Sequence, residues 1–281
     1  MLLRRRQLSP GWYPQNSQEI RQFLKAYQTA GEGPALAVMA PHAGWFYSGA
    51  IAARAISALD RDADTVVVAG GHLPAGMPPL FAEEDGVETP LGTMEIDGEF
   101  REILKKALGG SEDTYQDNTV EIQLPMAAYF LPRARLLWLR LPAEGASFEA
   151  GKRIAQTGIA LKRKTVLIAS TDLTHYGYNY GFIPRGAGEK ALEWVKTVND
   201  ARFLEAVEAG DPGMVLERAE REKAACSAGA VLGALGFAEE RGLPKGKLLA
   251  YGTSADPIGQ EGSGLPDSFV GYAAMAWYKS L

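Results

Sequence analysis

Three histidines and one cysteine are this chain's entire supply of imidazole and thiol side chains, the groups that most often hold a transition metal. Their placement is ordered. His42 follows the apolar run Ala35-Leu36-Ala37-Val38-Met39-Ala40 and Pro41. His72 follows Thr65-Val66-Val67-Val68-Ala69 and the pair Gly70-Gly71. His175 closes Ala169-Ser170-Thr171-Asp172-Leu173-Thr174-His175, directly after Thr165-Val166-Leu167-Ile168-Ala169. Each histidine thus falls just past the carboxyl end of an expected strand. In a parallel α/β sheet those ends share one edge, where ligands bind. Singly, each histidine serves as well for capping a turn, for loop surface or for bonding its own loop. Jointly they point to one site. Gly44, Gly70, Gly71 and Gly177 beside them permit tight backbone paths near a ligand.

Cys226 opens the small-residue stretch Ala224-Ala225-Cys226-Ser227-Ala228-Gly229-Ala230, which reads as a helix start running to about Leu235. A helix N-terminus favours thiolate. Two histidines and that thiolate would make a transition-metal site, and their long separations exclude a local zinc-finger loop. The alternative is an inert buried cysteine. Asp172 and His175 are three apart, so a helical turn would place them on one face, where a carboxylate can orient a base. Asp172 serves equally as an N-cap. Glu121 in Val120-Glu121-Ile122-Gln123-Leu124-Pro125 reads first as a helix carboxylate from a first turn. Trp45, Phe46, Tyr47, Tyr176, Tyr178 and Tyr180 are candidates for pocket walls or for ordinary core.

The elements that must position these groups alternate. Apolar strands are expected at 35–40, 65–69, 135–139, 165–169, 247–251 and 269–272, with helices from Ser48 to Ala58, near 147–162 and from Glu189 to Ala209, the last broken near Asn199-Asp200. This pattern is that of a single α/β domain, 1–281, with a central, largely parallel sheet of about six strands flanked by helices. Glu88 to Ile96 reads as two short strands around a turn outside that sheet. Residues 255–268, rich in glycine and proline, form the most flexible-looking segment.

Composition narrows the function. Net charge is -5, from 29 Lys+Arg against 34 Asp+Glu, so no basic stripe argues for nucleic acid. No apolar run reaches the length of a membrane helix. A single cysteine forms no intramolecular disulfide and suits the cytoplasm. Arg4-Arg5-Arg6 lack the apolar stretch that a targeting signal requires, and read as a solvated N-terminal strip.

Several motifs together resemble the Memo family, whose founding member mediates receptor-tyrosine-kinase-driven cell motility and whose bacterial and archaeal members are called AmmeMemoRadiSam system protein B. The residues that carry the resemblance are Gly11-Trp12-Tyr13-Pro14, Ala40-Pro41-His42-Ala43-Gly44 through Tyr47-Ser48-Gly49, Glu88-Thr89-Pro90-Leu91-Gly92, Glu121-Ile122-Gln123-Leu124-Pro125, Ser170 through Tyr176, and Val270-Gly271-Tyr272. The resemblance implies a fold like that of class III extradiol ring-cleavage dioxygenases. Those enzymes hold iron with two histidines and a carboxylate, and Memo proteins have two histidines and a cysteine there. By resemblance His42, His72 and Cys226 are the metal ligands, and Asp172 and His175 are the remaining catalytic acid and histidine. Three positions depart from the family's usual pattern. Gly70-Gly71 replaces Pro-Ser or Pro-Asn before His72, Asp117-Asn118-Thr119 lacks a histidine, and Ser227 rather than glycine follows Cys226.

Two imidazoles and a thiolate suit iron(II), copper or zinc, with iron(II) or copper the first choices. A thiolate beside an oxygen-activating metal is itself oxidisable, which argues against simple ring cleavage. The expectation is a metal-dependent redox enzyme acting on a small-molecule or peptide ligand, with a radical-SAM protein partner implied by the family's name. The alternatives are a catalytically silent binding module on a dioxygenase-like fold and a cysteine-nucleophile hydrolase with His175 as base.

Overall fold

The computed structural model describes residues 2–27, 33–243, 245–256 and 265–279. In chain order the strands are β1 (Leu3–Arg4), β2 (Ala35–Ala40), β3 (Thr65–Leu73), β4 (Leu80–Phe81), β5 (Gly86–Thr89), β6 (Gly92–Glu95), β7 (Ser111–Glu112), β8 (Arg135–Pro142), β9 (Thr165–Ser170), β10 (His175–Gly177), β11 (Lys247–Thr253) and β12 (Ser268–Tyr278). Nine of them form one mixed sheet in the order β10-β12-β2-β9-β3-β8-β4-β7, with β11 also pairing β12. The central strands β2, β9, β3 and β8 are parallel and buried almost throughout, which is why their sequences are continuously apolar. Helices flank them, giving a single α/β domain.

The sheet is larger than the six strands read from the sequence, because β4, β7 and β10 are too short to give an apolar run. Strand β12 runs against the parallel direction: it is antiparallel to β2, β10 and β11. The expected hairpin is real. β5 and β6 join through the two residues Pro90-Leu91, and β1 adds beside β5. That pairing corrects the reading of the N-terminal arginines. Arg4 is buried, and its guanidinium donates to the Asp113 carbonyl. Arg5 and Arg6 stay exposed.

The helix after β2 spans Trp45–Ser57, beginning three residues before the expected Ser48, with Gly44 as its N-cap. The long helix of residues 189–209 is α-helical at Glu189–Trp194 and Asp200–Ala209, joined by a π-helical segment, Val195–Asn199, at the predicted irregularity. The helix expected to open at Cys226 begins later and leaves the cysteine outside it, one residue before the N-cap. It spans Ala228–Glu240 with Ser227 as its N-cap, and it is buried nearly end to end. It lies against the helix Ala146–Ala160 at glycine contacts. A Cβ on Gly151 would meet the Gly233 carbonyl oxygen at 2.0 Å, so only glycine permits this approach. Close packing there fixes where the Cys226 end of the helix arrives. Of the segment expected to be most flexible, residues 257–264 lie outside the described residues.

Candidate metal centre

β2 and β3 deliver two histidines to the same sheet edge by different backbone devices. His42 stands in the loop between β2 and the Trp45–Ser57 helix. Its backbone N–H donates to Asp172 Oδ1 at 2.7 Å, and its carbonyl accepts from Asn118 Nδ2 at 2.9 Å. His72 sits at an irregularity in the β3–β8 ladder, where the register shifts between Gly70 and Leu73. Its φ is +56°, in the left-handed region that histidine tolerates better than most residues. Bulges commonly re-aim a side chain in this way. The two imidazole rings stand edge to face, 4.9 Å between centroids and 82° between planes.

Cys226 returns to them across 184 residues of sequence from His42. Its backbone N–H donates to the Asp172 carbonyl at 3.3 Å, and the next residue's N–H donates to Thr171 Oγ1 at 3.2 Å. The loop after β9 thus stitches the cysteine segment to the sheet edge. Sγ lies 3.2 Å from His42 Nε2. One ligand atom each from His42, His72 and Cys226 lies within 4.8 Å of the others, a spacing that could hold a metal ion.

The imidazole orientations suit that use. Ser170 Oγ lies 3.2 Å from His42 Nδ1, and Asp117 Oδ2 accepts from His72 Nδ1 at 2.9 Å. Each Nδ1 is thereby engaged, leaving Nε2 of each ring for the cluster, as outer partners do for metal-ligating histidines. Electrostatics agree. Burial opposes the thiolate, but His42 and His72 outweigh it and hold the Cys226 thiol well below its usual range. Burial likewise opposes the His72 imidazolium, and Asp117 with Cys226 overrides it, raising His72 to about 10. His42 is raised against its burial by Asp172 and Cys226.

Asp172 and His175 are brought together, though by an extended path. His175 begins β10 rather than ending a helical turn, and its Nε2 is 3.8 Å from Asp172 Oδ2. The same oxygen is 3.8 Å from His42 Nε2. Asp172 caps no helix; it ties the His42 backbone to the β9 loop. Despite its burial, its carboxyl is held below the usual range by His42 and His175.

Above these groups opens a cavity of about 680 Å³ whose walls include Trp12, Tyr47, Asn118, His175, Tyr180 and Tyr272. Of the six aromatics proposed from sequence, Tyr47 and Tyr180 line it. Trp45 is buried, donating Nε1–H to the Ile122 carbonyl; Tyr176 packs in a satellite core with Phe269; Phe46 and Tyr178 face away, exposed. Trp12 and Tyr272 were carried only by the family motifs. Asp117 was noted in sequence only for a missing histidine, yet it is the carboxylate on His72. Ser170 and Gln123 too were carried only by the family motifs; Gln123 Nε2 donates to Ser170 Oγ at 2.9 Å and to the Pro41 carbonyl at 2.8 Å. Glu121 is a first-turn carboxylate as expected, but it does more than that. It is buried at the end of the short helix Asn118–Glu121 and accepts from Gln7 N, Leu8 N and Tyr13 Oη, clasping the segment that carries Trp12.

A family model described as Memo-like protein matches residues 4–276 of this chain. Among curated proteins, a MEMO1 family protein of Pyrococcus horikoshii is 30% identical over 283 residues, covering 94% of this chain and 95% of that protein. A MEMO1 family protein of Thermococcus onnurineus is 30% identical, covering 95% of this chain and 97% of that protein. One from Methanopyrus kandleri is 28% identical, with 95% of each chain covered.

Proposed function

This chain belongs to the Memo family, and on that premise we propose that it is a metal-dependent redox enzyme with His42, His72 and Cys226 as ligands, acting on a small molecule or exposed peptide segment. The observation that carries this reading is the convergence of the three ligand atoms beneath a cavity of about 680 Å³. The donor set fits a borderline transition metal: two imidazoles with Nδ1 occupied elsewhere and a thiol poised to ionise. Iron(II), copper or zinc bound there would supply a Lewis acid, and iron or copper would add electron transfer.

The chain's own residues do the rest. Asp172 holds the His42 backbone and stands beside His175 Nε2, so it can orient that imidazole as a proton carrier facing the cavity. Trp12, Tyr47, Tyr180 and Tyr272 exclude water from a ligand's apolar faces. A radical-SAM protein is the partner that the family resemblance adds. A cysteine nucleophile served by His175 fits less well. Cys226 does not line the cavity, and its sulfur neighbours His42 rather than His175.

The test is metal content per chain, by mass spectrometry of protein purified without chelator or added histidines, for the parent, His42→Ala and Cys226→Ser. Near-stoichiometric metal in the parent and its loss in both variants is expected. A metal-free parent, or full occupancy in Cys226→Ser, would overturn the assignment. Oxygen uptake with candidate ligands then separates an enzyme from a silent binding module.

A further inference from the structure

His72 is the strained member of the site. A non-glycine residue at positive φ persists only when its surroundings over-determine it. The β3–β8 register also shifts between Gly70 and Leu73, so Gly71 has no paired residue on β8. Both demands are met by one side chain from the neighbouring strand. Arg140 is buried, and its Nε donates to the Gly71 carbonyl at 3.0 Å. Its Nη2 lies 3.3 Å from Asp117 Oδ2, the same oxygen that accepts from His72 Nδ1 at 2.9 Å. Its Nη1 bonds Asp113 Oδ1 at 3.2 Å. Asp113 is itself fixed, because Trp138 Nε1 donates to Oδ2 at 2.8 Å and Arg4 to its carbonyl at 2.9 Å.

We propose that Arg140 is the positioning residue for His72: its guanidinium fork holds the backbone before the ligand and the carboxylate behind it, so that Nδ1 keeps its proton and Nε2 faces the cluster. Three acceptors lie in the directions a planar fork reaches, and a lysine ammonium cannot span them. The carboxylate oxygen shared by Arg140 and His72 cannot swing toward the cluster as a ligand itself. Arg140 touches none of the proposed ligands' donor atoms; it acts through Asp117 and Gly71.

The role rests on the metal-site reading, so the test has one arm with metal and one without. Arg140→Lys keeps the charge beside Asp113, and Arg140→Met keeps the bulk. Long-range ¹H–¹⁵N spectra of the imidazoles, recorded without metal, report whether the His72 Nδ1 proton is held in its hydrogen bond to Asp117, with Nε2 protonated or not. Cobalt(II) titration, followed by thiolate-to-metal absorption, reports affinity. The parent should show the His72 Nδ1 proton held in its hydrogen bond to Asp117, and both variants should lose that signature and bind cobalt(II) about 10–100-fold more weakly. Rescue by Arg140→Lys on both readouts would reduce Arg140 to a buried charge and overturn the proposal. So would unchanged spectra and affinity in folded Arg140→Met, or failure of both variants to fold. A parent that binds no cobalt(II) would sink the metal reading, while the comparison of the Nδ1 proton would still decide for or against Arg140.

Discussion

Gly71 precedes one proposed ligand and Ser227 follows another, and the two share one volume. A Cβ built on Gly71 would stand 2.4 Å from both Cβ and Oγ of Ser227 and 2.8 Å from its Cα. These are not the far ends of a flexible side chain, so Gly71→Ala must displace backbone. Overpacking of that kind costs about 1–3 kcal/mol. At about 2 °C per kcal/mol for a chain of this size, the melting temperature should fall by roughly 2–6 °C. Ser227→Gly alone should cost only a few tenths of a kcal/mol, since the Ser227 hydroxyl makes no cap hydrogen bond. The double variant should recover most of the loss, with a coupling of about 0.5–3 kcal/mol. Metal affinity should follow the same cycle, because displacement at either position moves His72 or Cys226. The assay is thermal or urea unfolding of the four proteins, with zinc(II) affinity in parallel. A Gly71→Ala variant as stable as the parent, or a double variant no better than the sum of the singles, would refute the reasoning.

Cys226→Ser should weaken iron(II), copper(I) and zinc(II) far more than Asp172→Asn, which should cost about 10–100-fold; equal losses would make Asp172 a ligand. His175→Ala should keep fold and metal while removing about 10²–10⁴-fold of any turnover, and metal per chain measured first distinguishes proton transfer from ligation. Asp200 is buried against Thr174 and Tyr251, and burial pushes its carboxyl up to about 6 despite those bonds. The folded state therefore holds the proton more tightly than the unfolded one, so stability should fall as pH rises from about 4 to about 6. The fall is at most on the order of 3 kcal/mol, and Asp200→Asn should flatten it in urea unfolding across that window. Glu121→Gln should cost about 1–3 kcal/mol, because an amide cannot accept at both ends from Gln7, Leu8 and Tyr13.

The sequence by itself determined the strands of the parallel core, the helices at 45–57, 146–160 and 228–240, and the edge on which His42, His72 and His175 gather. Burial writes continuous apolar runs, and in such a sheet the residues after them share an edge. Composition and the ordered motifs determined the family. The direction of β12 was not legible, since a strand buried on both faces reads alike whichever way it runs. Tertiary structure alone decided that Cys226 meets His42, because no local periodicity encodes a contact across 184 residues. It decided the strained turn at His72, the carboxylate of Asp117 behind it and the burial of Arg4 and Glu121. Each is a polar or conformational exception, and its cost is offset only by partners that folding brings from elsewhere in the chain.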